Sequence, residues 1–152
     1  MSFCRRVHAP DDARLQAHAQ HSGMHDFRRL NVWQLARELG AEIYRETASA
    51  SRPELRLITS QLRRSALSIA ANIAEGCGKS SRAETIRFLE IAAGSAPETE
   101  HHLLVARDIG ILTTRQAERL LSKIGSVRRM LRALTLRLPQ EPARPHVAHK
   151  QE

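Results

Sequence analysis

The chain has 152 residues, of which 41% are apolar and only 3% aromatic, and its 24 Lys and Arg against 16 Asp and Glu leave a net charge of +8. That length supports one domain with a real core and is too short for two ordinary domains. The apolar residues are chiefly Leu, Ile and Ala, which favour helices, so composition points to an all-α fold rather than to sheets. Cys4 and Cys77 form no CxxC pair. A disulfide scaffold or zinc ribbon is therefore unsupported, and a reducing cytoplasm is the expected location. No run approaches the roughly 18 apolar residues of a membrane span, and no apolar h-region stands at the N-terminus, so neither insertion nor secretion is expected.

Residues 1–25 mix His, Ala, Asp, Gln and Pro without apolar periodicity and read as a flexible extension. Met24 stands just before the patterned region, and a start there would make residues 1–23 dispensable; mass spectrometry of the native N-terminus decides this. Four helices are then predicted within a domain spanning 26–138. The first runs from about 32 to 48, with a capping-box pattern at Asn31 and Gln34 and a stripe of Val32, Leu35, Ala36, Leu39, Ile43 and Tyr44. Pro53 suits a first helical turn, and Leu55, Ile58, Leu62, Ala66, Ile69 and Ile73 form the second stripe, ended by Gly76 and Gly78. Ser81 and Glu84 open a long third helix from Arg82 to Ile109, closed by Gly110. Thr113 or Thr114 caps the fourth, whose stripe Ala117, Leu120, Leu121, Ile124, Val127, Leu131 and Leu134 continues to Pro139. Residues 139–152 read as a disordered tail. Short loops between helices predict an antiparallel up-down-up-down bundle.

The second helix is apolar on two sides, because Leu67, Ala71 and Ala74 lie opposite its core stripe. In the third, Phe88, Ile91 and Ser95 lie away from Ile86, Leu89 and Ala93. A bundle covers one face of each helix, so the second faces are expected to pack against other copies of the chain. The competing reading is that small residues simply tolerate exposure.

Of the net charge, residues 1–25 carry +1 and residues 139–152 none, so +7 falls on the predicted bundle. The fourth helix holds most of it, with Arg115, Arg119, Lys123, Arg128, Arg129, Arg132 and Arg137 against Glu118 alone. Such a surface can hold a polyanion through phosphate contacts, and the scarcity of aromatics favours duplex or structured RNA over unpaired bases. A merely solvated charged face is the competing reading. Lys79 and Arg82 add candidate phosphate contacts at a helix start.

Asp26-Phe27-Arg28-Arg29-Leu30-Asn31-Val32-Trp33-Gln34, Thr59-Ser60-Gln61-Leu62-Arg63-Arg64-Ser65-Ala66, Asn72-Ile73-Ala74-Glu75-Gly76, Arg87-Phe88-Leu89 with Gly94-Ser95, and Ala106-Arg107-Asp108-Ile109-Gly110 occur in that order. Together they resemble the 23S ribosomal RNA intervening-sequence proteins over roughly residues 26–138. The resemblance implies a four-helix bundle in a ring-like homopentamer, without known enzymatic activity, from genes within ribosomal RNA insertions. It also implies likeness in fold to the basic, nucleic-acid-binding accessory proteins of diversity-generating retroelements, which bind a reverse transcriptase. The chain departs from the family pattern at Arg56-Leu57 and Ala70, and Pro97 inside the third helix should kink it.

Other motifs point away from chemistry. Gly78-Lys79-Ser80 resembles the end of a phosphate-binding loop, but Ile73 stands where the first glycine is needed. Glu98 and His101 match one half of a di-iron pattern whose second Glu-x-x-His is missing, so no metal is expected there. His18, His21 and His25 have ligand-like spacing within a predicted tail, where solvation is the simpler reading. Asn72 and Glu75 sit near the edge of the second stripe and are read as structural polar residues. No nucleophile, base and orienting group can be assembled by spacing, so the expected protein is not an enzyme and uses no cofactor. Its expected role is nucleic-acid binding or scaffolding, the alternative being an adaptor for an acidic protein such as a polymerase or reverse transcriptase.

Overall fold

The computed structural model describes residues 26–50 and 52–138, and every regular element among them is helical. A 3-10 turn at Phe27–Arg29 leads into α1 (Asn31–Glu46), and a second at Pro53–Leu55 leads into α2 (Arg56–Cys77). Then come α3 (Arg82–Asp108) and α4 (Thr114–Arg137). Each helix packs on the next and α1 closes on α4, while the diagonal pairs do not approach each other. The four stripes therefore meet in one core, where Leu39, Ile43, Leu62, Ile69, Ile73, Leu89, Leu103, Leu120, Ile124 and Leu131 are fully buried. Burial of each such side chain contributes about 1.5–3 kcal/mol.

Local chemistry explains the helix ends and corrects several expectations. Thr113 and Gln116 form the reciprocal capping box that opens α4. Ser81 caps α3 by accepting from the Glu84 N–H at 3.2 Å. The box expected at Asn31 is absent, because the 3-10 turn hands the N-cap to Leu30 and the Gln34 amide donates to the Arg28 carbonyl at 2.8 Å. α1 ends at Glu46 rather than 48, where the Thr47 hydroxyl donates to the Ile43 carbonyl at 2.7 Å. Gly110, at φ +75°, ends α3, with the Ile111 N–H returning to the Ala106 carbonyl at 2.8 Å. Gly76 serves close packing rather than termination, since a Cβ there would lie 3.1 Å from the Phe88 Cβ and 3.2 Å from the Thr85 carbonyl. The carbonyl of Gly76 accepts from the Thr85 hydroxyl at 3.0 Å.

Three residues fall on the other side of their helices from the side expected. Ser95 is buried against α2 and Ala93 is exposed. Thr85, Ser95 and Thr99 serve as inward residues of α3, the last two by donating to carbonyls one turn back at 3.0 and 2.9 Å. Tyr44, expected in the core stripe of α1, is 45% exposed. α3 runs through Pro97, which is exposed together with Ala93, whose carbonyl loses its usual donor. Cys4, Met24, His18, His21, His25 and residues 139–152 lie outside the described residues.

Candidate nucleic-acid interface

The basic residues of α4 do not share one face. At about 100° per residue, Arg119 and Lys123 fall on one flank of the core stripe, Arg128 and Arg132 on the other, and Arg115 and Arg129 point outward between them.

On the α1 side the cations are matched by acids. Lys123 Nζ lies 2.6 Å from a Glu42 carboxylate oxygen and Arg119 Nε 3.5 Å from the other. Arg119 also pairs with Glu46, which accepts from the Gln116 amide as well. The Glu42 side chain is only 14% exposed. The Lys123 hydrogen bond, aided by the charges of Lys123, Arg119 and Arg45, holds its carboxyl below the ordinary value against the opposing effect of burial. This edge ties α4 to α1.

On the α3 side the surface opens into a groove of about 590 Å³, lined by Glu90, Ala93, Gly125, Arg128, Arg129, Arg132, Thr135 and Leu136. Its floor is small, since a Cβ on Gly125 would still stand 3.6 Å from the Arg129 guanidinium. Arg128 pairs with Glu100 at 2.5 Å, and Arg129 donates to the Ser126 hydroxyl at 2.9 Å. All three arginines are exposed. Three guanidinium groups around a shallow groove can make parallel contacts to successive phosphates, a geometry that suits Arg better than Lys.

The other candidates are dispersed. Arg115 and Arg137 are exposed at opposite ends of α4. Lys79 lies in the turn between α2 and α3, 2.6 Å from Glu75 and 4.9 Å above the Phe88 ring, and the Glu75 hydrogen bond raises its pKa. Arg82 is exposed at the first position of α3. Asn72 donates to the Ser68 carbonyl at 2.8 Å and hydroxyl at 3.0 Å, and that hydroxyl lies 3.0 Å from Ser95, so Asn72 belongs to a polar seam between α2 and α3. Of the residues expected to meet another subunit, Leu67, Ala71 and Ile91 are exposed and Ala74 and Phe88 half-buried. Leu67 also fills the space beside Gly40, at 3.2 Å from where a Cβ would stand. The partner of Glu98 is His102, at 3.8 Å, rather than His101. No group of three His, Cys, Asp or Glu that could hold a metal occurs among the described residues. No helix among them is long and apolar enough to cross a membrane.

Sequence reading missed the acids that divide α4's cations. Glu42, Glu46 and Glu100 sit on other helices, and no spacing within α4 reveals them.

The helices and the groove define a class: a small all-α protein with four helices around one core and an arginine-lined outer surface. Residues 28–133 match the model of the 23S rRNA-intervening sequence protein family, and the chain belongs to that family. It is also similar to a protein from the S23 ribosomal protein family of Bacteroides thetaiotaomicron VPI-5482, whose crystal structure is described as that of a protein with unknown function. The two are 27% identical, with a TM-score of 0.64 over 68% of this chain and 97% of that one. No match is found among curated proteins.

Proposed function

We propose that this chain is a non-enzymatic nucleic-acid-binding protein, with structured RNA as the preferred ligand, and that the α3–α4 groove holds the phosphate backbone. The observation that carries the reading is the group of Arg128, Arg129 and Arg132 around one open groove. Phosphate contacts give affinity without base discrimination, which fits a site with no aromatic side chain among the described residues of its lining.

The reading includes an antiparallel bundle acting as a ring-like homopentamer in the cytoplasm. Cross-helix contacts support the antiparallel order: Glu42 meets Lys123 while Glu46 meets Arg119, and Arg63 meets Thr47 while Leu67 meets Gly40. The exposed Leu67, Ala71 and Ile91 provide apolar surface for a neighbouring subunit. Five copies would repeat the groove around a ring, so that one RNA could engage several at once. Light scattering should give five times the chain mass, and a monomer at micromolar concentration overturns the assembly.

A second reading is favoured by Leu136, 75% exposed in the same groove: an acidic protein segment, as on a polymerase, docking there through charge and one apolar contact. Filter binding to duplex RNA and to DNA across a salt series separates the two. Binding that weakens with salt and collapses in the Arg128→Ala/Arg129→Ala/Arg132→Ala variant supports nucleic acid. No binding at low salt, or none lost in the variant, refutes it.

A further inference from the structure

A second depression, of about 680 Å³, lies where the end of α1 and its following segment meet the first half of α2. Arg56, Ser60, Arg63, Arg64 and Leu67 enter it from one face of α2, at successive helical spacings, and Tyr44 enters from α1. Among the described residues no carboxylate lines it. The α3–α4 groove differs in this respect, since Glu90 is part of its lining and its Arg128 pairs with Glu100. The acids nearest in sequence are engaged elsewhere, Glu46 by Arg119 and Gln116 and Glu54 by Arg52 at 3.7 Å. Three like charges around one hollow repel each other unless an anion joins them.

Arg63 is already fixed for such an anion. Its Nε donates to the Thr47 hydroxyl at 2.9 Å and its Nη2 to the Thr47 carbonyl at 3.0 Å. Its guanidinium carbon lies 4.5 Å from the centroid of the Tyr44 ring. Thr47 is itself buried, so the anchor is rigid. A guanidinium held in place before binding loses little entropy when it takes a ligand. Tyr44 remains 45% exposed, which leaves aromatic surface open beside the cations.

We propose that this hollow is a nucleotide-binding site in which Arg56, Arg63 and Arg64 hold a phosphate monoester and Tyr44 faces the base. Its volume lies within the range of small-ligand pockets. It goes beyond the α3–α4 groove, shares no residue with it, and takes a single terminal phosphate rather than a continuous backbone.

The test is calorimetric titration of the full chain at low salt with adenosine monophosphate, adenosine and inorganic phosphate. Adenosine monophosphate should bind about tenfold or more tightly than either of the others, because each lacks one half of the recognition. Arg56→Gln/Arg64→Gln, both exposed, should lower that affinity about tenfold with the helical circular dichroism unchanged. Arg128→Ala/Arg129→Ala/Arg132→Ala should bind the mononucleotide like the wild type even where RNA binding is lost. The proposal is overturned by equal affinity for the three ligands, by no measurable binding, or by a folded Arg56→Gln/Arg64→Gln protein that binds undiminished.

Discussion

The two edges of α4 carry the same residue types in different surroundings. Toward α1, Arg119 and Lys123 sit on Glu42 and Glu46, with one of those carboxylates largely buried. Toward α3, Arg129 and Arg132 face an open groove whose lining includes Glu90, and Arg128 beside them pairs with Glu100. A cation already held by a carboxylate has little to offer a phosphate, because the ligand must displace its partner. One facing water releases counterions when a polyanion arrives. Charge counted along a helix thus overstates the binding surface, and the account predicts that the two edges respond differently to substitution.

The largest effect should follow from emptying the α3 edge. Arg128→Ala/Arg129→Ala/Arg132→Ala is expected to lower the slope of log affinity against log salt by about 2–3 units, and to weaken RNA binding roughly a hundredfold or more near 0.1 M salt. Its melting temperature should stay close to that of the wild type, since the side chains are exposed.

Emptying the α1 edge should cost stability. Glu42→Gln leaves Lys123 without its partner and Arg119 with Glu46 alone, and denaturant unfolding should show a loss of about 1–2 kcal/mol at neutral pH. The pH dependence has a definite sign. The folded protein holds the Glu42 carboxyl below its ordinary value near 4.5. Its contribution is therefore complete above that value and is lost as pH falls through the lower folded value. The gap between wild type and Glu42→Gln should close below about pH 4.5. RNA binding near neutral pH should be undiminished.

Smaller changes address the groove floor. Gly125→Glu places a carboxylate beside Arg129 and should weaken RNA binding about tenfold, the loss of one phosphate contact. Gly125→Ala should instead raise stability by about 0.5–1 kcal/mol through helix propensity, with binding unchanged. The added methyl has room, as nothing lies closer than 3.6 Å.

Much of the fold was legible because α1, α2 and α4 write their buried faces in Leu, Ile, Val and Ala at helical spacing, and because Thr113 and Gln116 form a cap recognisable from two residues. α3 was less legible. Thr85, Ser95 and Thr99 line its inner face by satisfying their hydroxyls on backbone carbonyls, so a hydrophobicity pattern cannot find that face. Tyr44 was misplaced for the converse reason: an aromatic ring at core spacing can lie on the surface when an arginine covers one of its sides. The arginines of α4 were visible, but their division was not, because Glu42, Glu46 and Glu100 reach them only through tertiary packing. The hollow at Tyr44 and Arg63 was hidden too, although Arg56, Arg63 and Arg64 share one face of α2.

The most direct test matches the charge change on the two edges. Arg129→Gln/Arg132→Gln and Arg119→Gln/Lys123→Gln each remove two cations, so their effects on the long-range field are alike and only local contacts differ. Measured as the salt slope of binding to one duplex RNA, the account predicts a fall of about 2 units in the first variant and less than about 0.5 in the second. Equal falls in the two folded proteins would contradict it, for then α4 would bind through its overall charge and not through the groove on α3.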